Sequence, residues 1–345
     1  MSSTSSPKPT LHYFRGSFLV TALGLALGAW IGWAFTHTLS GTLSILFICT
    51  ILAILEISLS FDNAIVNANK LKHMTPAWQR RFLTWGILIA VFGMRIVFPL
   101  AVVVVAAGIG PIEAMRLAVA EPDQYAAMMR GAQLSISAFG GTFLMMVALG
   151  FFFDPEKDVH WFGPLERRFI GMASVRGIEV AIVLALLLGF SRFLPDEKAT
   201  TFIVSALYGL MTFLLVEILG RVLDRRTVVD GVVKGGFGAF LYLEVLDASF
   251  SFDGVIGAFA LSQNLFVIAI GLGIGAMYVR SMTIMLVEKG TLVEYRYLEH
   301  GAFYAILLLS VIMYAHTIVH VPEVITGLGG VFLIGLAFQA SRRAR

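Results

Sequence analysis

Two near-identical segments place carboxylates inside apolar runs. Ser58-Leu59-Ser60-Phe61-Asp62-Asn63-Ala64-Ile65 and Ser249-Phe250-Ser251-Phe252-Asp253-Gly254-Val255-Ile256 agree at five of eight positions. A second acid stands six residues upstream in each copy, Glu56 before Asp62 and Asp247 before Asp253. A charged side chain at the centre of a bilayer helix costs roughly 2.5–3.5 kcal/mol on insertion scales. A chain that bears this cost twice, in the same local sequence, uses the acids. Glu56, Ser60, Asn63 and Asn67 are spaced by four, three and four residues and share one helical face. Asp62 lies about 120° away from Glu56 on a regular helix, and Asp253 bears the same relation to Asp247. A break at each Ser-Phe-Asp segment would free backbone carbonyls and let both acids of a copy meet one site.

Glu244 sits one turn before Asp247. Five apolar-segment acids, Glu56, Asp62, Glu244, Asp247 and Asp253, then face two bases, Arg95 and Arg280. Buried charge requires a partner or a proton, and two arginines leave three acids over. A bound cation resolves the surplus. Carboxylates, the Asn63 amide and the Ser60 and Ser251 hydroxyls are hard oxygen donors, suited to Mg²⁺, Ca²⁺ or Mn²⁺ rather than zinc or copper. Glu56, Asp62, Asn63, Asp247 and Asp253 are the candidate metal ligands; Ser60, Ser251, Glu244, Arg95 and Arg280 are auxiliary. Arg95 and Arg280 are expected to pair with the carboxylates or fill the site when it is empty. No His or Cys neighbours the acids. His316 and His320 read as interfacial, and Cys49, the single cysteine, as a small apolar filler. Glu179 and Glu217, near span ends, read as interfacial, with a relay role as the alternative.

The elements that must hold these acids are membrane helices. The chain is 58% hydrophobic and 14% charged, against about 25% charged in a soluble domain. Ten apolar runs are long enough to cross a bilayer, at roughly 17–35, 41–69, 82–108, 132–153, 178–194, 200–220, 233–261, 264–287, 300–319 and 322–340. The second and seventh carry the acidic segments and are expected to be broken there. Ten spans put nineteen of the 25 Lys and Arg residues on the side of the termini and four on the other, which by the positive-inside rule places both termini in the cytoplasm. The first span resembles a secretory signal but is long for one and reads as an uncleaved helix. Met1–Thr10 reads as a disordered tail.

Gly86 and Arg95 in the third span are nine residues apart, as are Gly271 and Arg280 in the eighth. Spans 2–4 and 7–9 therefore read as two copies of a three-helix unit, inverted because five spans separate them. Inverted repeats with interrupted polar helices at the midplane are a common transporter architecture. The expected fold is an all-α polytopic membrane protein of about ten helices. It divides into a cytoplasmic tail (1–16), a peripheral first helix (17–40), the first repeat (41–153), a connecting loop with two helices (154–232), the second repeat (233–320) and a last helix with a basic tail (321–345).

With these motifs in view, the chain resembles the TerC family of the LysE-type transporter superfamily. Glu56-Ile-Ser-Leu-Ser-Phe-Asp62-Asn63-Ala64 is similar to that family's first signature and Asp247-x2-Phe250-Ser251-Phe252-Asp253 to its second. Gly140-Gly141-x-Phe143-Leu144 and His320-Val321-Pro322 are weaker matches. The second motif departs at Asp253-Gly254-Val255-Ile256, where the family continues Asp-Ser-hydroxyl-Pro, and the stretch 154–176 also differs from simpler members. The resemblance implies metal-facing roles for Glu56, Asp62, Asp247 and Asp253, and links to manganese export and tellurium resistance. The leading expectation is a non-enzymatic secondary transporter exporting a divalent cation, Mn²⁺ first, with proton exchange on the same carboxylates. It has no permanent cofactor, its partners are the lipid bilayer, the cation and protons, nucleic acid is not among them, and its location is a bacterial-type inner membrane. The oligomeric state stays open. Competing readings are a membrane scaffold for metal or tellurite stress without transport, an exporter of an amino acid or oxyanion held by the arginine pair, and an intramembrane aspartyl hydrolase using Asp62 and Asp253.

Overall fold

A computed structural model describes residues 9–344 except 156, 176, 225–227, 230–231, 234 and 320; the side chains of Ile87, Ala106, Phe252, Asp253, Glu323, Val324 and of the strand residues are outside that description. Most of the expected N-terminal tail, and His320, therefore lie outside it. Among the described residues the regular secondary structure is helical apart from a minimal antiparallel hairpin, β1 (Val228–Val229) with β2 (Val232–Val233). The helices are α1 (Thr10–Tyr13), α2 (Arg15–Thr36), α3 (Leu39–Leu59), α4 (Phe61–Leu71), α5 (Pro76–Leu88), a π-helical segment (Ile89–Val97), α6 (Phe98–Ala107), α7 (Pro111–Ala120), α8 (Pro122–Gly131), α9 (Gln133–Phe152), α10 (Gly163–Met172), α11 (Ile178–Ser191), α12 (Asp196–Asp224), α13 (Phe237–Leu261), α14 (Leu265–Glu288), α15 (Thr291–Glu294), α16 (Leu298–Ala315) and α17 (Glu323–Arg343).

Local chemistry sets many of these boundaries. Proline occupies the first turn of α5, α7, α8 and α10, where its missing N–H costs nothing. Thr38 caps α3 by accepting from Gly41 N at 3.1 Å, and Asn264 caps α14 by accepting from Phe266 N and Val267 N. Gly108 ends α6 at φ 64°, the left-handed region that glycine adopts without strain.

Among the described residues seven helices are long and apolar enough to span a bilayer: α2, α3, α9, α12, α14, α16 and, from Ile325, α17. Pro76–Gly86 and Ile89–Val105 make an eighth as a pair bent by 41°. The shorter apolar α11 and the acid-bearing α13 fall at the two remaining expected positions.

The second expected span breaks where the Ser-Phe-Asp segment begins. Ser60 leaves the helix at φ −107°, ψ 16° and separates α3 from α4. The seventh does not break: α13 runs unbroken from Phe237 to Leu261 through Ser251, Asp253 and Gly254. The stretch between the third and fourth spans is also structured. It forms α7 and α8, whose Ala114, Tyr125 and Met129 are buried against Phe259 and Ile268.

The bundle is organised around two long helix pairs, α3 along α14 and α9 along α16, with α12 on α9, α17 on α16 and α2 against both α3 and α14. Gly271 lets α14 approach α3, since a Cβ there would lie 2.6 Å from Leu52 Cβ and 3.0 Å from Cys49 O. Gly141 does the same for α9 against Tyr314 of α16. Cys49 is fully buried beside Val267. One end of the bundle gathers many loops: Thr75 N donates to Gly235 O, Lys289 Nζ to Thr10 Oγ1, and Tyr297 N to Ser341 Oγ near the C-terminus.

Candidate functional site

The first acidic segment lies at the α3–α4 break. Glu56, on the last turn of α3, is 4% exposed and is ion-paired with Arg95, itself 3% exposed. Ser60 Oγ donates to the same carboxylate oxygen, Oε1, at 3.1 Å. Arg95 sits in the π-helical segment, and its Nη1 also donates to Ala90 O at 2.9 Å. The wider π turn places the guanidinium between that carbonyl and Glu56. Irregular turns of this kind inside helices are frequent at functional positions.

Asp62 goes elsewhere. It is buried in the first turn of α4, accepts from Asn63 N at 2.9 Å, and lines a water-sized cavity of about 10 Å³ with Ser58, Thr326 and Gly330, between α4, α16 and α17. Thr326 Oγ1 in that cavity has no hydrogen-bond partner among the described residues. The break at Ser60 has therefore not turned both acids of this copy to one point in this conformation: Glu56 faces α13 and α14, and Asp62 faces α17.

Asn63 makes the link between the copies. Its Nδ2 donates to Asp247 Oδ1 of α13 at 2.5 Å. Asp247 is half-buried, and Glu244, one turn earlier, is buried. Four of the buried oxygens without a hydrogen-bond partner among the described residues lie on the helices of the two acidic segments: Asn63 Oδ1, Asn67 Oδ1, Glu244 Oε1 and Ser251 Oγ. The Asp253 side chain is outside the described residues. Among the described residues no three His, Cys, Asp or Glu side chains form a group able to hold a metal ion.

Arg280 differs from its counterpart. No carboxylate lies within ion-pair distance of it among the described residues; its Nη2 donates to Phe82 O at 2.6 Å, and its guanidinium lies 3.8 Å from the centre of the Phe82 ring. Glu244 is close by, because a Cβ on Gly86 would fall upon Arg280 and lie 2.7 Å from Glu244 Oε1. Gly86 is thus the gap through which α5 passes the second copy's acid and base.

A family model described as a protein of unknown function, DUF475, matches residues 61–345. The chain belongs to the DUF475 family. No curated protein and no solved structure matches it, and nothing in these comparisons carries the TerC name. The DUF475 match takes in all of the second acidic segment and the first from Phe61 onward.

This DUF475 protein also has a large open cavity that its motifs did not announce, about 1550 Å³, lined by Val66 and Asn69 of α4, Tyr242 of α13 and the loop ends of several other helices. Lys70, Lys72, Lys157, Arg221 and Arg296, from four separate segments of the chain, all face it. They belong to the set of nineteen bases read as sharing one side, and the cavity gathers them at one mouth. Glu179 and Glu217 line it too, Glu217 paired with Arg221. Glu299, at the start of α16, takes a hydrogen bond from Asn69 and stands 4.0 Å from Lys72.

The neighbouring Glu166 is fully buried. It meets Lys157 at 3.0 Å, His300 at 3.3 Å and Tyr304 OH at 3.2 Å, with Trp161 N and Phe162 N donating to it. Burial alone would raise its carboxyl; the His300, Lys157 and Phe162 contacts outweigh that and hold it at about 2. Glu166, Glu299 and His300 sit in no repeated motif, and only their position at span ends beside basic residues hinted at a shared mouth.

Proposed function

We propose that this DUF475 protein is a secondary transporter that moves a divalent cation, Mn²⁺ first, out of the cytoplasm, with proton exchange through the buried carboxylates. The observation that carries this reading is the contact between the helices of the two acidic segments, with buried oxygens left unpartnered on both. Asn63 bridges to Asp247, Glu56 lies against α13, and unpartnered oxygens of Asn63, Asn67, Glu244 and Ser251 are buried in the same apolar bundle. Buried polar atoms without partners are uncommon in native proteins and mark places where an ion or water belongs. Ionisable groups within membrane helices mark substrate pathways.

In this reading the wide cavity beside α4 is the cytoplasmic entrance, and both termini lie on its side. Glu56, Asp62, Asn63, Asp247 and Asp253 are the ligand set. Asp62 stands beyond the Ser60 break and joins the others when α4 rotates about that hinge. Arg95 on Glu56 is the stand-in cation of the empty carrier, so that cargo entry exchanges one positive charge for another. The resemblance of both motifs to TerC signatures supports manganese as first choice; oxygen donors of this kind also accept Ca²⁺ and Mg²⁺.

The test is a metal-selective flux assay on the reconstituted full chain, with and without a pH gradient. Wild-type protein is expected to carry Mn²⁺ and to respond to the gradient. Asp62→Asn and Asp253→Asn are expected to insert normally and to abolish flux. Unchanged Mn²⁺ flux in Asp62→Asn would remove Asp62 from the ligand set, and a wild-type protein silent to every divalent cation would leave a scaffold role as the better account.

A further inference from the structure

Glu56 and Asp247 hold the same place in the two copies, and so do Asn63 and Gly254. The structure joins these four positions crosswise. Asn63 of the first copy donates to Asp247 of the second. At Gly254 of the second copy, a Cβ would stand 3.3 Å from Oε2 of Glu56 of the first. One position of each copy therefore faces the acid of the other. The contacts differ in chemistry: position 63 presents an amide to its acid and position 254 presents no side chain.

Two further details bear on that difference. Among the described residues both side-chain bonds to Glu56, from Ser60 and Arg95, fall on Oε1, and Oε2 is the oxygen turned to Gly254. The stem of Glu56 is fixed by a second glycine. A Cβ at Gly275 of α14 would overlap the Glu56 side chain and come within 2.8 Å of Ala53 O. Glu56 thus runs through a notch at Gly275 and delivers its head to the gap at Gly254, in an α13 that stays helical there.

We propose that Gly254 is a specificity-determining position of the cation site. By withholding a donor it leaves Oε2 of Glu56 to the cargo, while Asn63, anchored through its Nδ2 on Asp247, keeps a buried Oδ1 without a partner among the described residues. The two equivalent acids then divide the work: Glu56 offers a carboxylate oxygen, and Asp247 holds a neutral one in place. A donor at position 254 would bond the carboxylate and compete with a divalent cation for it, since hydrogen bonds to charged groups are the strong ones. This inference rests on the divalent-cation reading above.

The experiment uses purified full-length protein in two assays: Mn²⁺-induced shift in melting temperature, which gives an apparent Kd through ligand linkage, and Mn²⁺ flux in proteoliposomes. Gly254→Asn is expected to weaken Mn²⁺ by at least about tenfold in Kd, the effect of one charge-assisted hydrogen bond placed against the ligand, and to raise the flux KM while Vmax is retained. Gly254→Ser, whose Cβ needs a shift of only a few tenths of an ångström, is expected to melt like wild type without metal yet show a smaller loss of Mn²⁺ affinity; it decides the matter if the Asn variant does not fold. Wild-type affinity and KM in Gly254→Ser, or in a folded Gly254→Asn, would overturn the proposal. A wild-type protein that neither shifts with nor carries any divalent cation would instead overturn the transport reading, and this assignment with it.

Discussion

The Glu56–Arg95 pair gives the sharpest prediction about the bundle itself. Both side chains are almost fully buried, and Glu56 → Gln removes one charge while leaving the guanidinium with Ala90 O and a neutral amide. Breaking a buried pair by neutralising one partner costs about 3–5 kcal/mol, because the remaining charge is left uncompensated. Arg95→Met should cost a similar amount. The double variant removes both charges and should lose less than the sum of the singles, by at least about 2 kcal/mol for residues in direct contact. Cys49 supplies the assay. It is the single cysteine, is 0% exposed, and lies two turns before Glu56 on α3, so a thiol-reactive fluorogenic dye reports unfolding of this region alone. Glu56→Gln and Arg95→Met should each become dye-reactive at a clearly lower temperature than wild type, and the double variant should recover part of the difference. Strict additivity of the three melts would refute the pair as a coupled unit, and single variants that melt with wild type would refute its contribution altogether.

Other perturbations separate packing from chemistry. Gly275→Ala should destabilise by about 1–3 kcal/mol or more through overpacking against Glu56 and Ala53 O; Gly335→Ala in α17, where a Cβ meets nothing within 4 Å, should be neutral or slightly stabilising, and the two melts compared side by side check this. Glu166 has a folded pKa depressed from 4.5 to about 2; its stabilisation of the 157–166 segment should be complete above about pH 4.5, decline as pH falls, and be gone below about 2. Limited proteolysis of that segment across pH should follow this course in wild type and lose it in Glu166→Gln. Cysteines introduced into the 70–80 and 221–235 connections of a Cys49-free protein should label from the same, cytoplasmic side; labelling from opposite sides would refute the topology.

What the sequence made legible follows from the range of the forces involved. The spans could be read because twenty apolar residues are a local property, and the α3–α4 break because Ser60, Asp62, Asn63 and Asn67 crowd polar groups into one stretch. The unbroken α13 was not legible. Gly254 suggested a weak point, but its lack of a side chain serves the Glu56 head from another helix, and that contact spans nearly 200 residues of sequence. The same holds for Asp62, whose direction is set by α16 and α17, and for the wide cavity, whose bases come from four separate segments. The π turn around Arg95 is a compromise between Ala90 O and Glu56, which no local periodicity records. Tyr125 and Met129 of α8 are buried in one cluster with Phe259 and Ile268, which lie far along the sequence.

In the proposed carrier a divalent cation sits between the two Ser-Phe-Asp segments. Anomalous scattering from crystals of the full chain loaded with Mn²⁺ tests it most directly. The predicted result is a manganese peak at about 2.1–2.6 Å, the range of hard-cation oxygen bonds, from oxygens of Glu56 and Asn63, with Arg95 displaced from Glu56. A peak confined to the outer cavity near Glu217 or Glu299, or none in saturating Mn²⁺ with Arg95 still on Glu56, would contradict it.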